Sequence, residues 1–574
     1  MNEKSAVLSQ AALDALERNA LVNASRHGGK AEVGAIVSGV LGEFPELRSR
    51  AGDVASVARS VVGKVNAMGE TEQLELLTKK YPEHVQQKKK EGRVGLPPLP
   101  NAEKGKVAFR LPPEPSGFMT IGHAMAFTIN HLYSEMYDGE LWLRFEDTNP
   151  KKAAKRYYES FREGIAWLGI KVDHEKNVSE DNEMICDHGT RLIREGKAYT
   201  CSCDQPKVKK LRFEGTVCEH RGRGPDENMR VWEEMLGRKH GEGSWVVRLK
   251  GDMGNPDYSL RDPNIFRIIE HNHPVTGSKY AVWPTYDLAN TIEDEVCGIT
   301  HILRSSEFHT ALQRLIRETL SLRRVEVIQF SRFNFKGTPV QKRLLRPLVE
   351  NGLVSGWDDP RMPTVAGVRR RGIIPETIRQ FTLQVGYTKS EHEYDWSLLF
   401  AVNRKLLDPV SRRVFFVPNP VGLRVEGAPR KKVTIKFHPE KDLGERTVDT
   451  SGEFFVPGDD AKSLKKGSVF RLMELFNVEL LSTEGRLTAK YTGDELVQDT
   501  RKVQWVTPDH VEAKVLVPGA LFNDAGEFDP ESLTEVSGYG ERAMASLKEG
   551  EIVQLPRFGF CRQDSPHTLI LTHK

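Results

Sequence analysis

Residues 107–149 contain the pattern that most constrains how this chain can fold. They read as an apolar strand, a loop rich in Gly and Pro, an amphipathic helix, a Gly turn and a second apolar strand, which together predict a β-α-β unit. In the loop, Pro112, Pro113 and Pro115 disfavour helix and sheet, and Gly117 lets the backbone come close to a ligand. Because α/β sheets hold ligands at the carboxyl ends of their strands, we expect a ligand site beside this loop.

The helix that follows the loop begins like an anion-binding site. Its first residues are Ile121, Gly122 and His123, and a helix start offers free N–H groups and a partial positive charge. His123 is therefore placed to donate to phosphate oxygens, although a purely structural helix cap remains the alternative. The second strand, Leu141–Phe145, ends in the polar sequence EDTN.

Four segments of the chain closely resemble class I glutamyl- and glutaminyl-tRNA synthetases. They are RLPPEPSGFMTIGHA, LRFEDTNP, PTYDLANTIEDEVCGITHILRSSEF and GWDDPRMPTVAGVRRRGI, in that order. The resemblance implies a multidomain α/β and β protein. Its parts are a Rossmann-like class I synthetase catalytic domain, an inserted acceptor-binding domain, a helical stem-contact domain, a C-terminal β-barrel anticodon-binding domain and an N-terminal helical extension.

Size and composition agree with such a protein. At 574 residues the chain is too long for one core, and about 150 residues per domain gives roughly three to five domains. It is 38% hydrophobic and 28% charged, and no run approaches the ~18 apolar residues of a membrane span. Its first residues lack the pattern of a signal peptide. We expect a cytoplasmic monomer without membrane contact, and the net charge of +3 neither supports nor excludes RNA binding.

The pattern of elements divides the chain into six segments. We predict a helical accessory domain at 1–104, Rossmann halves at 105–180 and 284–335, an inserted acceptor-binding domain at 181–283, a lysine loop with a helical stem-contact domain at 336–402, and a β-barrel anticodon-binding domain at 403–574. In the first segment, apolar residues have helical spacing in Ala6–Ala20 and Val54–Val65. Three lysines, Lys88 to Lys90, favour a solvated helix face over an RNA contact.

Four residues of the inserted segment indicate a metal site. Cys201 and Cys203 form one chelating pair and Cys218 and His220 another, so three thiolates and one imidazole are available for a tetrahedral, structural zinc ion. The alternative is that these cysteines are small buried apolar residues. A similar cluster occurs in some glutamyl enzymes that the chain resembles.

The resemblance also assigns an amino-acid pocket. Arg304 takes the place of the arginine that binds the substrate side-chain carboxylate in glutamyl enzymes and is missing from glutaminyl ones, although a surface ion pair with Glu307 is the alternative. A planar guanidinium pairs with a carboxylate through two hydrogen bonds, and the amide of glutamine offers only one acceptor, so glutamate should be favoured at least about tenfold. Arg110 and Tyr286 resemble pocket residues, and Glu146 takes the place of the acid that binds the α-ammonium group. Core packing is the alternative for these three.

The ATP site departs from the family pattern at two positions. The leading histidine of the helix-start motif is Thr120, and the serine of the lysine loop is Gln341, while the lysine itself is kept as Lys342. A threonine hydroxyl still donates a hydrogen bond, and Lys342 with Arg343 keeps positive charge for the leaving pyrophosphate. We therefore expect catalytic roles for Thr120, His123 and Lys342, and ATP contacts from Pro113, Glu114, Gly122, His123, Arg332, Lys342 and Arg343, with Mg²⁺ on the phosphates.

Three consecutive arginines, Arg369, Arg370 and Arg371, predict a contact with the tRNA backbone, and internal pairing with Asp358 and Asp359 is the alternative. The function that the resemblance implies is ATP-dependent ligation of L-glutamate to tRNA(Glu) through a glutamyl-adenylate, with tRNA(Gln) as a further substrate left open. Two alternatives remain: a glutaminyl enzyme, which Arg304 disfavours, and a catalytically silent tRNA-binding paralogue, which Thr120 and Gln341 suggest.

Overall fold

The computed structural model describes residues 8–26, 28–81, 95–305, 309–386 and 392–574. The chain forms two compact units, Met1–Val94 and Gly95–Lys574, so the first unit ends before the predicted boundary at 104. Lys88 to Lys90 and Glu307 lie outside the described residues. No helix in the described ranges is long and apolar enough to cross a membrane.

The first unit is helical, as predicted. Its α-helices are Gln10–Arg26, Val33–Glu43, Ala51–Asn66 and Glu70–Lys80. Small and β-branched side chains such as Ala12, Ala20, Ile36 and Val54 fill its core. The buried amide of Gln73 donates to the carbonyls of Gly29 and Val65 at 3.0 and 2.7 Å, so one polar side chain satisfies the ends of two other segments.

Five parallel strands form the catalytic sheet of the second unit. In spatial order they are His174–Asn177, Glu140–Phe145, Ala108–Leu111, His301–Arg304 and Glu326–Gln329. The first three strands form one ladder and the last two another; the Thr300 N–H joins the ladders by donating to the Ala108 carbonyl at 3.1 Å. Each connection carries α-helices, which are Ile121–Tyr137, Lys155–Trp167, Asn182–Arg194, Tyr286–Val296 and Thr310–Leu320. This order is the doubly wound arrangement predicted for 105–180 and 284–335.

In the sequence, an antiparallel sheet is inserted between the catalytic strands His174–Asn177 and His301–Arg304. Its strands, in order, are Ala198–Cys201, Val246–Leu249, Asn264–Ile268 and Val282–Pro284. The helices Gln205–Glu214 and Pro225–Leu236 connect the first two strands. The core of this segment is built on Trp232 and Phe266, which are fully buried.

After the last catalytic strand the chain is mainly helical. A short strand, Phe333–Phe335, pairs in parallel with His392–Tyr394. The helices are Lys342–Glu350, Val365–Arg371, Pro375–Val385 and Trp396–Leu407. Lys342, which we predicted in the lysine loop, is instead the first residue of a helix, because Leu345 and Leu348 bury a helical face against Leu521 and Phe522.

The C-terminal part is mainly β, as predicted for 403–574, and most of its strands form two six-stranded sheets. One contains Phe416–Pro418, Leu533–Glu541, His510–Pro518, Thr568–His573, Gly559–Ser565 and Ile552–Leu555 in spatial order. The other contains Glu453–Val456, Val421–Glu426, Leu487–Gly493, Asn477–Ser482, Val469–Leu472 and Arg501–Val503. A hairpin of Lys431–Lys436 and Glu445–Thr450 and a short helix, Gly458–Ser463, complete it.

Candidate active site

The strand ends of the catalytic sheet place the predicted site residues along one edge. Because the strands are parallel, Leu111, Phe145 and Arg304 all end their strands at this edge. The loop after the first strand is tied to the second, since the Glu146 N–H donates to the Pro113 carbonyl at 2.9 Å. The loop predicted to bind phosphate, residues 112–119, and the predicted amino-acid pocket are thus held by neighbouring strand ends.

Thr120 and His123 together form the cap of the helix Ile121–Tyr137. The Thr120 N–H donates to His123 Nδ1 at 3.2 Å, and the Thr120 hydroxyl lies 2.9 Å from the same nitrogen. Because Nδ1 accepts, the neutral imidazole carries its proton on Nε2, where it is available to a ligand. The structural cap given as the alternative for His123 is therefore present, with Thr120 as its partner, while donation from Nε2 to phosphate stays a prediction.

Lys342 lies against the loop that precedes this helix. A Cβ atom on Gly117 would lie 3.4 Å from Lys342 Cδ and 3.9 Å from its Nζ, so the glycine leaves room for the lysine. The Lys342 ammonium lies 5.1 Å from the centre of the Tyr157 ring. Burial lowers the pKa of Lys342.

The other residues predicted to contact ATP differ in exposure. Pro113 is buried, Gly122 is half-buried near the Phe333 carbonyl, and Arg332 and Arg343 are exposed. Exposed Glu114 pairs with Lys152 at 3.3 Å.

A buried carboxylate, Asp294, joins three arginines beside the predicted amino-acid pocket. It accepts hydrogen bonds from Arg110 Nε and Arg144 Nη2 at 2.9 Å each and from Arg317 Nη2 at 2.7 Å. Burial opposes its ionisation, but the three guanidinium groups hold the pKa of Asp294 below its usual range. Arg110 is therefore fixed in direction by Asp294.

Glu146 keeps one oxygen free beside this network. Its Oε1 accepts from Arg144 Nε at 2.8 Å and from Asn290 Nδ2 at 3.0 Å. Its Oε2 is buried and has no hydrogen-bond partner among the described residues. A buried carboxylate oxygen of this kind suits a cationic donor such as an α-ammonium group.

Arg304 and Tyr286 complete the pocket. The side chain of Tyr286 is close enough to Arg110, Glu146 and Arg304 to interact electrostatically with all three, and burial raises the pKa of Tyr286 to about 12. Arg304 Nη1 donates to Gln313 Oε1 at 2.8 Å, while its buried Nε has no partner within the described ranges. The four residues predicted for amino-acid binding therefore lie together.

Five residues of this polar network were not predicted from the sequence: Arg144, Asn290, Asp294, Gln313 and Arg317. One signal was available: Tyr286, Asn290 and Asp294 are four residues apart, so they share one face of the helix Tyr286–Val296. Three polar side chains on a helix face that packs against a buried sheet indicate a polar pocket.

We expect Asp294→Asn to destabilise the second unit, because it removes the shared partner of three buried arginines. The free energy of unfolding should fall by about 3 kcal/mol. Urea unfolding followed by tryptophan fluorescence measures this unit alone, since all 8 tryptophans lie after residue 95. Glu295→Gln is the matched control, because the neighbouring Glu295 pairs only at the surface with Arg323; equal stability of the two variants would contradict the role given to Asp294.

The four predicted metal ligands are brought together in the inserted sheet. The ligand atoms of Cys201, Cys203, Cys218 and His220 all lie within 4.8 Å of one another. The Cys201 and Cys218 sulfur atoms are 3.9 Å apart, and Cys203 Sγ lies 3.3 Å from His220 Nδ1. Zinc–sulfur bonds of about 2.3 Å put two ligands of a tetrahedron roughly 3.8 Å apart, so the cluster fits zinc.

The surroundings favour the thiolate of Cys218, whereas the pKa values of Cys201 and Cys203 are raised, by the neighbouring Cys218 thiol and by burial respectively. Arg248 Nη1 donates to Cys218 Sγ at 3.7 Å, and the Tyr199 hydroxyl lies 3.6 Å from it. With the Cys201 thiol, these groups lower the pKa of Cys218.

The three predicted tRNA-contacting arginines have different environments. Arg370 donates to Asp564 at 2.9 and 2.8 Å and pairs with Asp358 at 3.3 Å. Arg371 donates to the carbonyls of Thr572 and Pro518. Arg369 is exposed. The alternative of internal pairing therefore holds for Arg370 with Asp358, whereas Asp359 pairs with Arg361 instead.

The parallel sheet, the capped helix at its strand ends and the lysine across the loop define a nucleotide-binding α/β catalytic domain. The family model of the catalytic domain of class I tRNA synthetases (E and Q) matches residues 106–409. Two models of the anti-codon binding domain of the same synthetases match residues 411–492 and 502–564. The chain therefore belongs to the class I tRNA synthetases for glutamate and glutamine.

Relatives of nearly the same length match along almost the whole chain. A glutamate–tRNA ligase of Cenarchaeum symbiosum is 40% identical over 96% of this chain and 98% of its own length. One from Nitrosopumilus maritimus is 39% identical over 97% and 99%. A crystal structure of a glutamate tRNA ligase from Elizabethkingia meningosepticum in complex with its amino acid aligns at 21% identity and a TM-score of 0.39, over 53% of this chain and 70% of that one.

Proposed function

We propose that this protein joins L-glutamate to tRNA(Glu) in an ATP-dependent reaction through a glutamyl-adenylate. The observation that carries the proposal is the pocket in which Arg304 Nε and Glu146 Oε2 are both buried and unpaired among the described residues. A guanidinium and a carboxylate fit the side-chain carboxylate and the α-ammonium group of glutamate. Glutamine would leave some of the N–H donors of the Arg304 guanidinium unpaired, which favours glutamate over glutamine as the substrate.

The first step needs alignment rather than a protein nucleophile. The α-carboxylate of glutamate, whose pKa lies well below 7 and which is therefore ionised at neutral pH, attacks the α-phosphorus of ATP, and pyrophosphate leaves. His123 donates from Nε2 to phosphate oxygens, and Lys342 supplies positive charge across the Gly117 loop. Mg²⁺ bound to ATP would neutralise further phosphate charge when present.

In the second step, the terminal ribose hydroxyl of tRNA attacks the adenylate carbonyl. The ester bond forms, the mixed anhydride breaks, and AMP leaves with the bond electrons. The inserted domain would hold the acceptor end, exposed Arg369 the tRNA backbone, and the two C-terminal sheets the anticodon.

The two departures from the family pattern are compatible with catalysis. Thr120 caps the helix and fixes the tautomer of His123, and Gln341 precedes a lysine that still lies against the phosphate loop. These contacts favour an active enzyme over a silent tRNA-binding paralogue.

Attachment of radiolabelled glutamate to transcripts of tRNA(Glu) and tRNA(Gln), assayed separately, tests the proposal. We expect acid-stable incorporation of glutamate into tRNA(Glu). Incorporation into tRNA(Gln) would extend the substrate range, and the absence of incorporation into both would refute the proposal.

We further propose that Cys201, Cys203, Cys218 and His220 hold one structural zinc ion, because their four ligand atoms all lie within 4.8 Å of one another and the surroundings of Cys218 lower its pKa. The ion would join the two ends of the segment that contains the helix Gln205–Glu214. Such a site stabilises the fold and takes no part in the chemistry.

We expect purified protein to contain about one zinc ion per chain, measured by elemental analysis. Cys203→Ala should lose the ion and lower the thermal midpoint of unfolding. Cys186→Ala is the control, since Cys186 is also a free cysteine of this segment but lies outside the cluster. Full zinc content in Cys203→Ala would contradict the assignment.

A further inference from the structure

A second layer of polar side chains lies behind Arg304. Gln313, on the helix Thr310–Leu320, is 2% exposed. Its Oε1 accepts from Arg304 Nη1 at 2.8 Å, and its Nε2 donates to Asp287 Oδ1 at 3.1 Å. One buried amide therefore bridges a carboxylate and the guanidinium of the pocket.

The Asp287 carboxylate fixes the direction of this amide. An ionised carboxylate only accepts hydrogen bonds, so it selects the NH₂ end of Gln313 and leaves the carbonyl oxygen facing Arg304. Asp287 is itself held by His309, whose Nδ1 lies 2.8 Å from the same oxygen. The nearby Asn290 Oδ1, 3.5 Å from Gln313 Nε2, is a second acceptor on that side.

The same arrangement repeats for the other arginine of the pocket. Glu146 Oε1 accepts from the Asn290 amide, and Asn290 Oδ1 faces Arg110 Nη2 at 3.4 Å. Each pocket arginine thus meets the carbonyl of an amide whose direction a carboxylate sets. Arg110 also has a carboxylate partner of its own in Asp294, whereas no ion pair of Arg304 with an acid is present in the described part of the chain.

This difference determines how much charge Arg304 offers to a ligand. A carboxylate behind the guanidinium would fix its direction but would also neutralise it. A neutral carbonyl fixes the direction without a direct ion pair, so Asp287 and Asp294 act on the guanidinium from a distance and much of its positive charge is left for the pocket side. The buried Nε, unpaired among the described residues, is one donor left for that side.

We propose that Gln313 is a positioning residue for amino-acid specificity. It fixes the orientation of the Arg304 guanidinium through a neutral acceptor, so the positive charge of Arg304 remains available to the side-chain carboxylate of the substrate. The proposal rests on the proposed function, in which Arg304 binds that carboxylate. Gln313 acts through Arg304 and touches no reacting atom.

Three variants of the full chain test this role. Gln313→Met keeps the size of the side chain but removes both hydrogen bonds. Gln313→Glu keeps an acceptor at Arg304 but adds a negative charge that faces Asp287. Gln329→Met is the matched control: Gln329 pairs with Arg304 in strand register, but its amide donates to Thr310 at 2.8 Å.

The measurement is ATP–pyrophosphate exchange in the presence of tRNA, with glutamate and glutamine supplied separately. We expect both Gln313 variants to raise KM for glutamate about tenfold or more. The ratio of kcat/KM for glutamate over glutamine should fall by a similar factor, and KM for ATP should stay within about twofold. Gln313→Glu should affect glutamate more than glutamine because its charge repels the substrate carboxylate. Gln329→Met should retain the wild-type ratio.

If Gln313 had only a general packing role, its variants would change kcat, KM for ATP and KM for both amino acids together, and this result would overturn the proposal. An unchanged ratio of kcat/KM for glutamate over glutamine in Gln313→Met would overturn it as well. Failure of the proposed function has a different signature. In that case the wild-type protein would show no glutamate-dependent exchange, whatever residue occupies position 313.

Discussion

Lys342→Ala should lower the rate of glutamate-dependent ATP–pyrophosphate exchange by about 100- to 1,000-fold. The reason is the position of the Lys342 ammonium group, which lies beside Gly117 in the loop that precedes the helix carrying His123. Removing a fixed positive charge from the phosphates weakens an interaction that grows as pyrophosphate leaves. Binding of tRNA, measured by filter retention, should change little.

Lys336→Ala is the control for this prediction. Lys336 is exposed in the same segment, and its backbone N–H, not its side chain, makes the contact with Tyr394 at 3.1 Å. The variant should exchange at the wild-type rate. An unchanged turnover in Lys342→Ala would remove Lys342 from the phosphate site.

Arg304→Cys should abolish the preference for glutamate. The change leaves the substrate carboxylate without a cationic partner in a half-buried pocket, so kcat/KM for glutamate should fall by about 30-fold to several thousandfold. The kcat/KM for glutamine should fall much less, because the glutamine amide pairs with fewer of the guanidinium N–H groups. Competition between the two amino acids in the charging reaction measures the ratio.

Arg314→Cys serves as the comparison, because Arg314 is an exposed arginine on the helix that carries Gln313. It should retain wild-type selectivity. If Arg304→Cys keeps its preference for glutamate, the selecting group lies elsewhere, and the role proposed for Gln313 is lost with it.

Local patterns predicted the residues whose chemistry depends on near neighbours. The Gly- and Pro-rich loop followed by Ile121-Gly122-His123 predicted a helix that begins after a strand end, and the structure has one, with the structural cap that was the alternative to an anion site. The spacing of the Cys and His pairs predicted a cluster, because each pair needs only a short turn to converge. Arg304 ends its strand beside Arg110, as the sheet order requires.

Contacts between distant segments could not be read from the sequence. Asp294 binds Arg110 and Arg144, which precede it by 184 and 150 residues, so no local pattern reports the network. Arg370 pairs with Asp564, 194 residues away, and the cluster of three arginines reads as a basic surface until that partner is known. The helix at Lys342 was hidden by the irregular residues Gly337 and Pro339 before it.

ATP–pyrophosphate exchange by the wild-type protein, with tRNA present, tests most directly whether the pocket activates glutamate. Labelled pyrophosphate should enter ATP when glutamate is supplied, and at least about tenfold more slowly with glutamine at equal concentration. Equal or faster exchange with glutamine would contradict the selecting role of Arg304. The absence of exchange with either amino acid would contradict the proposed catalytic activity.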